Sequence, residues 1–439
     1  MTQSKQDFQF NYVSIESPRV SDRVDIKSLV TDFDMFEDLQ KAYMTGSCIF
    51  SDGQDILGKL DLIGGEKLHV SLKSLKKDTK AIRKTFYITS YQAQKGGDNE
   101  QAVLLNLVEE HAFDSQLKNI SRYYQGKIST VLTKLIGEKL NKKVNHLGTD
   151  RKTVNVIIPN LSPLESIDFL TGRACTDTGY PFFCYSVLAG QELYFRDLIT
   201  LLQTPTLTRK GGEVFPYSAM SMNSKSPDPK QRNKTILDYS FDAEFTLFDM
   251  MKAGFVGAEY EIIDSLGKRN KFNFDITKDL FQDLVENIYE RPQINPPFST
   301  LTKVDGIGLS EHTSRTISSI SGSGAYRTTD NDDDYTTGFG EERTVAEYKQ
   351  KIRKDIVTAV LAHAPVNIVI EGQDFVDGDK HTGVGNTIDV VIPNSNPDLR
   401  EPDPKRSGKY LIASCRYMFK KNRVEVALQL VKLGNDKRR

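Results

Sequence analysis

The sequence predicts a β-rich α+β protein with two antiparallel β-barrels that are related by internal duplication and carry α/β insertions. Three observations predict this fold class. The chain has 439 residues, which is long enough for about three domains of ~150 residues. Short segments rich in β-branched and aromatic residues alternate with turn-rich segments over the first 112 residues. Patterns from that region recur, in the same order, in the second half of the chain.

The composition excludes several classes of protein. The chain has 38% hydrophobic and 27% charged residues, which is enough apolar material for a packed core. Its 58 Lys and Arg residues balance 59 Asp and Glu residues, so a main role in neutralising a nucleic-acid backbone is excluded. No run of 18 apolar residues occurs, and we therefore expect no membrane insertion.

The start of the chain and its cysteines predict a protein that is not exported by the general secretory route. The first residues, MTQSKQDFQFNY, lack the basic-then-apolar pattern of a secretory signal. Cys48, Cys175, Cys184 and Cys415 lie far apart and form no Cys-x-x-Cys pair. We therefore expect four reduced, mostly buried thiols in a cytoplasmic chain.

Residues 1–112 are predicted to form the first barrel. Each candidate strand carries β-branched or aromatic residues, and turn-rich stretches, such as the one at Gly64 and Gly65, separate the strands. The candidates are Phe8–Ser14, Val24–Phe33, Tyr43–Ser51, Lys67–Leu72, Ile82–Tyr91 and Ala102–Glu110. The stretch 65–84 carries seven Lys and Arg residues against Glu66 and Asp78, which we interpret as a solvated face, with contact to a polyanion as the alternative.

Residues 113–231 are predicted to form an α+β insertion domain. Apolar residues at three- and four-residue steps from Ile120 to Leu140 indicate an amphipathic helix. Ser162 and Glu165 have the spacing of a capping box at the start of a second helix. The remaining elements are strands at Val154–Ile158, Pro181–Ser186 and Glu192–Phe195, the second helix at Leu164–Cys175 and a short helix through Leu202. Residues 203–234 lack apolar periodicity and predict a long polar loop, of which 203–231 belong to this domain.

The second barrel is predicted in two parts, 232–276 and 341–439, separated by a polar and acidic insertion at 277–340. The first part holds strands at Thr235–Phe245 and Gly254–Asp264. The second part begins with a helix and ends in strands, at Thr344–His363, Val366–Glu371, Thr387–Ile392, Lys409–Phe419 and Val424–Leu433. Residues 292–340 form a second polar tract within and beside the insertion.

Internal repeats support a duplication. Near the opening of each barrel, Phe36–Asp52 matches Phe248–Asp264 in having an apolar anchor, a polar segment ending in Lys-Ala and a strand. Near the close, the patterns of two strands recur: Phe86–Tyr91 in Tyr410–Cys415, and Ala102–Val108 in Val426–Val431. Each closing pair predicts a hairpin with alternate residues facing inward. The alternative is an unrelated multi-domain β-rich protein.

The chain resembles the baseplate hub proteins of contractile-tailed bacteriophages. The residues that carry the resemblance are Ile158–Leu170, Tyr180–Tyr185, Gly385–Pro393 and Ser407–Arg416 with its closing hairpin. The resemblance implies the order of a tube-type barrel, an α/β insertion and a second tube-type barrel interrupted by another insertion. It also implies a homotrimer that joins the six-fold tail tube to the three-fold central spike.

The same resemblance implies a location and partners. The protein would lie in the tail baseplate of the virion, would be assembled in the host cytoplasm, and would contact the tail tube, the central spike, the tape measure and baseplate wedge proteins. DNA would meet it only in transit through the channel. Two other classes stay open: another tube-derived component of a contractile injection machine, such as a secretion-system hub or distal tail protein, and a cell-wall-acting enzyme.

The sequence predicts no catalytic, cofactor or metal site. Asp330, Asp332, Asp334 and Glu341 alternate as in a calcium loop, but Tyr335 stands where that loop needs Gly, which favours a solvated acidic loop. Cys175 and Cys184 have no histidine nearby for a zinc site. The histidines are scattered without ligand spacing, at His69, His111, His146, His312, His363 and His381. The glycine pairs Gly306/Gly308 and Gly383/Gly385 lack the context of a nucleotide loop, so we expect a protein that is not an enzyme.

Overall fold

A computed structural model of the chain describes most of it as β-structure with few helices. The described residues are 6–96, 100–150, 154–210, 213–214, 216–219, 234–242, 246–255, 258–263, 269–273, 294–295, 303–308, 315–320, 345–363, 365–396, 401–420 and 422–436. The helices are α1 (Ile56–Leu60), α2 (Glu110–Ser115), α3 (Ile128–Leu140), α4 (Pro163–Thr171), α5 (Leu198–Gln203), α6 (Leu247–Ala253) and α7 (Val345–Leu361).

The strands of the N-terminal half are β1 (Phe8–Glu16), β2 (Val24–Asp25), β3 (Val30–Asp38), β4 (Thr45–Asp52), β5 (Lys67–Ser74), β6 (Ile82–Lys95), β7 (Gln101–Glu109), β8 (Ile120–Gly126), β9 (Val144–Leu147), β10 (Val154–Leu161), β11 (Phe182–Ser186), β12 (Leu193–Asp197), β13 (Arg209–Lys210), β14 (Glu213–Val214) and β15 (Tyr217–Ser218). Those of the C-terminal half are β16 (Ile236–Phe241), β17 (Ala258–Ile263), β18 (Arg269–Asn273), β19 (Ile294–Asn295), β20 (Lys303–Val304), β21 (Ile307–Gly308), β22 (Arg315–Ile320), β23 (Val366–Glu371), β24 (Thr387–Val391), β25 (Gly408–Lys420), β26 (Arg423–Val431) and β27 (Asn435–Asp436).

One large sheet joins the two ends of the chain. Its strands follow the order β16-β23-β26-β25-β3-β4-β7-β6-β5-β1-β2, and β24 pairs with β25 beside this path. The pairs along the path are antiparallel. The pair of β25 with β3 joins two segments from opposite ends of the sequence, Ser414–Lys420 and Asp32–Asp38. Among the described strands, no pair closes either half into a separate barrel; the pair β25–β3 instead makes the two halves one sheet.

The two halves of this sheet have the same strand order. In the first half β3 pairs with β4, β4 with β7, β7 with β6, and β6 with β5. In the second half β16 pairs with β23, β23 with β26, β26 with β25, and β25 with β24. Every one of these pairs is antiparallel, so β3, β4, β5, β6 and β7 correspond to β16, β23, β24, β25 and β26.

The irregularities of the two halves also coincide. The ladder between β6 and β7 shifts register between Ile88 and Ser90, and the ladder between β25 and β26 shifts between Ile412 and Ser414. These two positions are the same ones in the predicted match of Phe86–Tyr91 with Tyr410–Cys415. A bulge re-aims the strand that carries it, so matched bulges give the two halves the same local bend.

A second pair of matched register shifts reveals a similarity between β3 and β16 that the sequence analysis missed. The ladder of β3 with β4 shifts between Val30 and Asp32, and that of β16 with β23 shifts between Ile236 and Asp238. The two segments that surround these shifts are similar in sequence, Val-Thr-Asp-Phe-Asp-Met in β3 and Ile-Leu-Asp-Tyr-Ser-Phe in β16.

The predicted match at the opening of the two barrels, Phe36–Asp52 with Phe248–Asp264, is wrong. The first segment is strand, turn and strand, whereas the second begins with helix α6. Thr246 and Asp249 form a capping box at the start of α6, and Gly254 ends it with φ 78°. Strand β17 then pairs with β18 and β22 in a separate sheet, so β23 and not β17 takes the position of β4.

The middle region folds around its own core. Helices α3 and α4 pack with a β8–β10 pair and a β11-β12-β9 sheet through apolar residues that include Leu132, Ile136 and Ile167. The predicted helix from Ile120 to Leu140 is wrong in its first part, because residues Ile120–Gly126 form strand β8. Tyr124 is buried there while Tyr123 is exposed, which is strand alternation, and Gly126 at φ 139° separates β8 from α3.

The two polar tracts are only partly loops. Within 203–234, the side chain of Tyr217 is buried, and β15 pairs in parallel with β24 of the large sheet. Within 292–340, strand β22 pairs in parallel with β17. The prediction of a polar loop over 203–234 is therefore wrong at Tyr217–Ser218, and the second polar tract contains a strand at Arg315–Ile320; residues 220–233 and 321–340 lie outside the described part of the chain. In the described part, no helix is both long and apolar enough to cross a membrane.

Candidate functional site

The junction between β25 and β3 is the central contact of the molecule. Residues Ser414–Lys420 lie opposite Asp32–Asp38 in continuous antiparallel register, with Tyr417 opposite Met35. The guanidinium of Arg416 donates to one carboxylate oxygen of Asp34 from Nε at 3.2 Å and from Nη2 at 2.6 Å. Charge-assisted hydrogen bonds of this kind fix the register of two strands as well as adding stability.

Aromatic packing covers one face of the junction. Phe419 lies 5.0 Å from Phe8 and 6.4 Å from Phe33, measured between ring centroids. The rings of Phe10 and Phe33 meet edge to face at 5.9 Å. Buried aromatic pairs in such geometries add roughly 0.5–1.5 kcal/mol each beyond the apolar area they bury.

Glu37 connects three parts of the chain beside this junction. One carboxylate oxygen accepts hydrogen bonds from the backbone N–H of Leu188 and from the hydroxyl of Tyr417, the latter at 3.1 Å. The other oxygen accepts the N–H of Val384 at 2.9 Å. Burial raises the pKa of Glu37 to about 7, although these three donors favour the charged form and oppose the shift.

Glu109 is a second buried carboxylate with a different environment. The ammonium of Lys84 lies 3.3 Å and that of Lys142 lies 3.7 Å from the same oxygen. The hydroxyl of Ser186 donates to the other oxygen at 2.7 Å, as does the N–H of Met44 at 3.1 Å. Burial alone would raise the pKa of Glu109, but the positive charges of Lys84 and its neighbours hold the pKa well below the usual range.

Two strand edges lie open at the ends of the matched halves. Strand β6 pairs with β7 through residues 86–95 and with β5 through residues 82–87. Its outer edge between Thr89 and Gln94 pairs with no strand in the described part of the chain. Among the strands that the structure describes, β23 is the one partner of β16 in the large sheet. Open edges invite pairing with another strand.

The residues that the sequence analysis considered for chemistry are not brought together into one site. The acidic run from Asp330 to Glu341 lies outside the described residues. All four cysteines are buried thiols, and burial raises the pKa of Cys48, Cys184 and Cys415. Among the residues that the structure describes, no group of three or more His, Cys, Asp and Glu side chains could hold a metal ion.

The basic stretch 65–84 and the glycine pair Gly383/Gly385 contribute to the packing of the fold. Lys76 and Lys80 form ion pairs with Asp374 and Asp379, so part of the 65–84 stretch connects the first half of the sheet to the second. A side chain at Gly383 would overlap the carboxylate of Glu37 and the hydroxyl of Tyr417. Gly383 therefore leaves room for the Glu37 carboxylate.

Structural comparison gives the fold that this chain shares with known proteins. No protein-family model and no curated protein sequence matches the chain. A tail protein from Neisseria meningitidis has a similar fold, with a TM-score of 0.53, 11% identity and coverage of 97% of each chain. The 43 kDa tail protein of prophage MuSo2 from Shewanella oneidensis is also similar, with a TM-score of 0.52, 8% identity and coverage of 96% of this chain and 98% of that one.

The chain therefore has the fold of phage tail proteins, over nearly its whole length. The structural neighbours support the resemblance to baseplate hubs drawn from the sequence. This likeness at low identity is a likeness of fold.

Proposed function

We propose that this protein is the structural hub of a contractile tail, a trimeric adaptor between the six-fold tail tube and the three-fold central spike. The observation that carries the proposal is the matched pair of strand arrangements, β3-β4-β7-β6-β5 and β16-β23-β26-β25-β24, in one chain. Their two matched pairs of register shifts support an internal duplication of a tube-type barrel unit.

A duplicated unit addresses a symmetry mismatch. Three chains with two similar units each present six similar surfaces to a six-fold tube, while every element found once per chain keeps three-fold symmetry. Cyclic closure also covers strand edges that would otherwise be open to wrong pairing. The chain's elements outside the matched units, including the α+β domain 113–231 and the insertion 277–340, are then the natural contacts for a three-fold spike.

The proposal includes the remaining boundaries, partners and location. The first tube-type unit is assigned to residues 1–112 and the second to 232–242 and 341–439, because β17 and β18, within the predicted 232–276, form a sheet with β22 outside the large sheet. The ring would contact the tail tube, the spike, the tape measure and wedge proteins in the virion baseplate. With 58 basic against 59 acidic residues, its channel would let DNA pass without retaining it.

The test is the mass of the purified chain in solution, alone and co-expressed with a candidate central spike protein. We expect a trimer of three 49.5 kDa chains, about 149 kDa, by light scattering coupled to size exclusion. The ring is expected to be more stable with the spike, because a partner that binds only the assembled state stabilises it by mass action. A monomer under both conditions, or a ring of six copies, would contradict the hub assignment.

The proposal also states that the protein is not an enzyme. The pure chain is expected to leave host cell wall intact in a zymogram. A cleared band at the mass of this chain, persisting after co-purified proteins are removed, would contradict this part of the proposal.

A further inference from the structure

The strand correspondence makes the junction β25–β3 one of two equivalent positions. Strand β25 of the second half corresponds to β6 of the first, and β3 of the first half corresponds to β16 of the second. Within the chain, the outer edge of β25 pairs with β3. The counterparts of those two edges, on β6 and β16, are the open edges described above.

Residues on the open edges of β6 and β16 are more exposed than their counterparts at the β25–β3 junction. This difference is expected if each open edge lacks a neighbouring strand. Cys415 is 1% exposed, whereas its counterpart Tyr91 is 41% exposed. Phe33 is fully buried, whereas its counterpart Tyr239 is 39% exposed. Ala93 is exposed although its counterpart Tyr417 is buried. Tyr91, Tyr239 and Ala93 are thus aromatic or apolar side chains at positions that the first junction buries and the second leaves uncovered, whereas Lys95 stands in place of the buried Phe419.

We infer that β6 of one chain pairs in antiparallel register with β16 of a second copy of this chain. The register follows from the strand correspondence and rests on the proposed function. The intrachain pairs Tyr417–Met35, Met418–Asp34 and Phe419–Phe33 translate into intermolecular pairs between one chain and its neighbour. These pairs are Ala93 with Phe241, Gln94 with Ser240 and Lys95 with Tyr239; the pair Arg416–Phe36 likewise gives Gln92 with Asp242.

The inferred contact is heterologous. Each chain contributes β6 at one contact and β16 at the other, and such head-to-tail contacts form closed rings or open filaments. Matched bulges after Ile88 and Ile412, and after Val30 and Ile236, give both junctions the same local bend. Equal bends at alternating junctions favour a closed ring in which intrachain and interchain contacts are alike.

The two junctions differ at several positions, and one of these differences bears on their response to salt. The ion pair of Arg416 with Asp34 has as its counterpart the neutral pair of Gln92 with Ser240. A neutral polar pair forms weaker hydrogen bonds and is screened less by salt than an ion pair. The interchain junction is therefore expected to be weaker than the intrachain one and to persist in high salt.

Cysteine cross-linking tests the register directly in the full-length chain. The paired variants are Ala93→Cys with Phe241→Cys and Gln94→Cys with Ser240→Cys, which sample both kinds of opposed position in an antiparallel ladder. The shifted control is Ala93→Cys with Tyr239→Cys, and each single variant serves as background. Met418→Cys with Asp34→Cys is the intrachain control, since it occupies the same register at the existing junction. The four native cysteines are buried and contribute little background.

After mild oxidation of assembled protein, at least one matched pair is expected to cross-link chains about tenfold more than the shifted control. Opposed Cβ atoms lie ~5 Å apart and diagonal ones ~7–8 Å, which is too far for a disulfide. A matched yield no higher than the shifted or single-variant yield would overturn the inference, provided that the intrachain control closes. If light scattering still gives a trimer in that case, the proposed function stands with another interface. Strong cross-links in the matched pairs within a ring of another size would support this contact and contradict the proposed trimeric hub.

Discussion

Two buried carboxylates, Glu37 and Glu109, bind the same short segment of the chain in opposite charge environments. Glu37 accepts the N–H of Leu188, and Glu109 accepts the hydroxyl of Ser186 two residues earlier. Both side chains are almost fully buried. Yet the pKa of Glu37 is raised to about 7, whereas that of Glu109 lies well below its ordinary value.

The difference lies in the nearest cations. Lys84 is within 3.3 Å of Glu109 and also donates to the carbonyl of Val187 at 2.8 Å. Glu37 has only dipolar donors, from two backbone amides and the hydroxyl of Tyr417. Burial penalises a charge by several kcal/mol, and a close opposite charge offsets that cost far better than neutral donors do. Glu109 therefore stabilises the fold as a carboxylate ion. Glu37, with a pKa of about 7, is partly protonated at neutral pH and contributes through its hydrogen bonds.

Removing the cation from the Glu109 site should have the largest effect. Lys84→Met leaves a buried carboxylate with Lys142 as a more distant partner, so we expect a loss of about 3 kcal/mol in the free energy of unfolding. Urea denaturation at neutral pH measures it. The double variant Lys84→Met with Glu109→Gln removes both charges and should recover part of the loss. If the double variant is less stable than the single one, the charge account of this site is wrong.

The pH dependence of stability should separate the two carboxylates. Glu37 has a pKa of about 7 in the folded protein and 4.5 as its ordinary value, so the folded state binds more protons between these pH values. Stability from this group is present below about pH 4.5 and is lost as pH rises towards 7, with a slope of at most about 1.4 kcal/mol per pH unit. Glu109, with its lowered pKa, acts in the opposite direction and loses its contribution as pH falls below 4.5.

Glu37→Gln isolates this slope. The variant cannot ionise and keeps a single acceptor oxygen, so it loses the hydrogen bond from either Leu188 or Val384, a cost that does not depend on pH. Buried His381 and His111, whose pKa values are lowered by burial, add a slope of opposite sign that both proteins share. We expect the stability difference between wild type and variant to change steadily from pH 5 to pH 7, in the direction that disfavours the wild type. A constant difference would contradict the raised pKa.

The smallest effects should come from removing one neutral donor at each site. Ser186→Ala deletes a 2.7 Å hydrogen bond to a charged carboxylate and should cost about 2 kcal/mol. Tyr417→Phe deletes a 3.1 Å hydrogen bond to Glu37 and should cost about 1 kcal/mol near pH 6. The comparison is made by thermal denaturation at the same pH. If the two stability costs are equal at pH 6 and do not diverge with pH, the proposed difference in charge between Glu37 and Glu109 is wrong.

The strands were largely predictable because each alternates buried and exposed residues. The match of Phe86–Tyr91 with Tyr410–Cys415 even aligned the two bulges correctly. The opening match failed because it relied on the dipeptide Lys-Ala, which occurs in a turn at Lys41 and near the end of helix α6 at Lys252. Thr246 caps the start of helix α6 and Gly254 caps its end, which makes the second segment helical. Neither residue is among those that match between the two segments.

The buried carboxylates could not be predicted from the sequence. An acidic residue in an alternating strand is normally read as solvent-exposed, and nothing local to Glu37 or Glu109 indicates otherwise. Their partners lie far along the chain, 347 residues away for Val384 and 77 for Ser186. Only the three-dimensional pairing of distant segments brings these groups together.

The pairing of β3 with β25 also sets the order in which the protein can be completed. Asp34 and Arg416 are 382 residues apart, so β3 leaves the ribosome long before its neighbour in the sheet exists. At ~5–20 residues per second, that edge waits roughly 20 to 80 s for its partner strand. During this interval a nascent chain exposes Phe33 and Met35 on an unprotected strand, next to other nascent chains on the same message. We therefore expect this edge to be a site where nascent chains can pair wrongly until the C-terminal hairpin emerges.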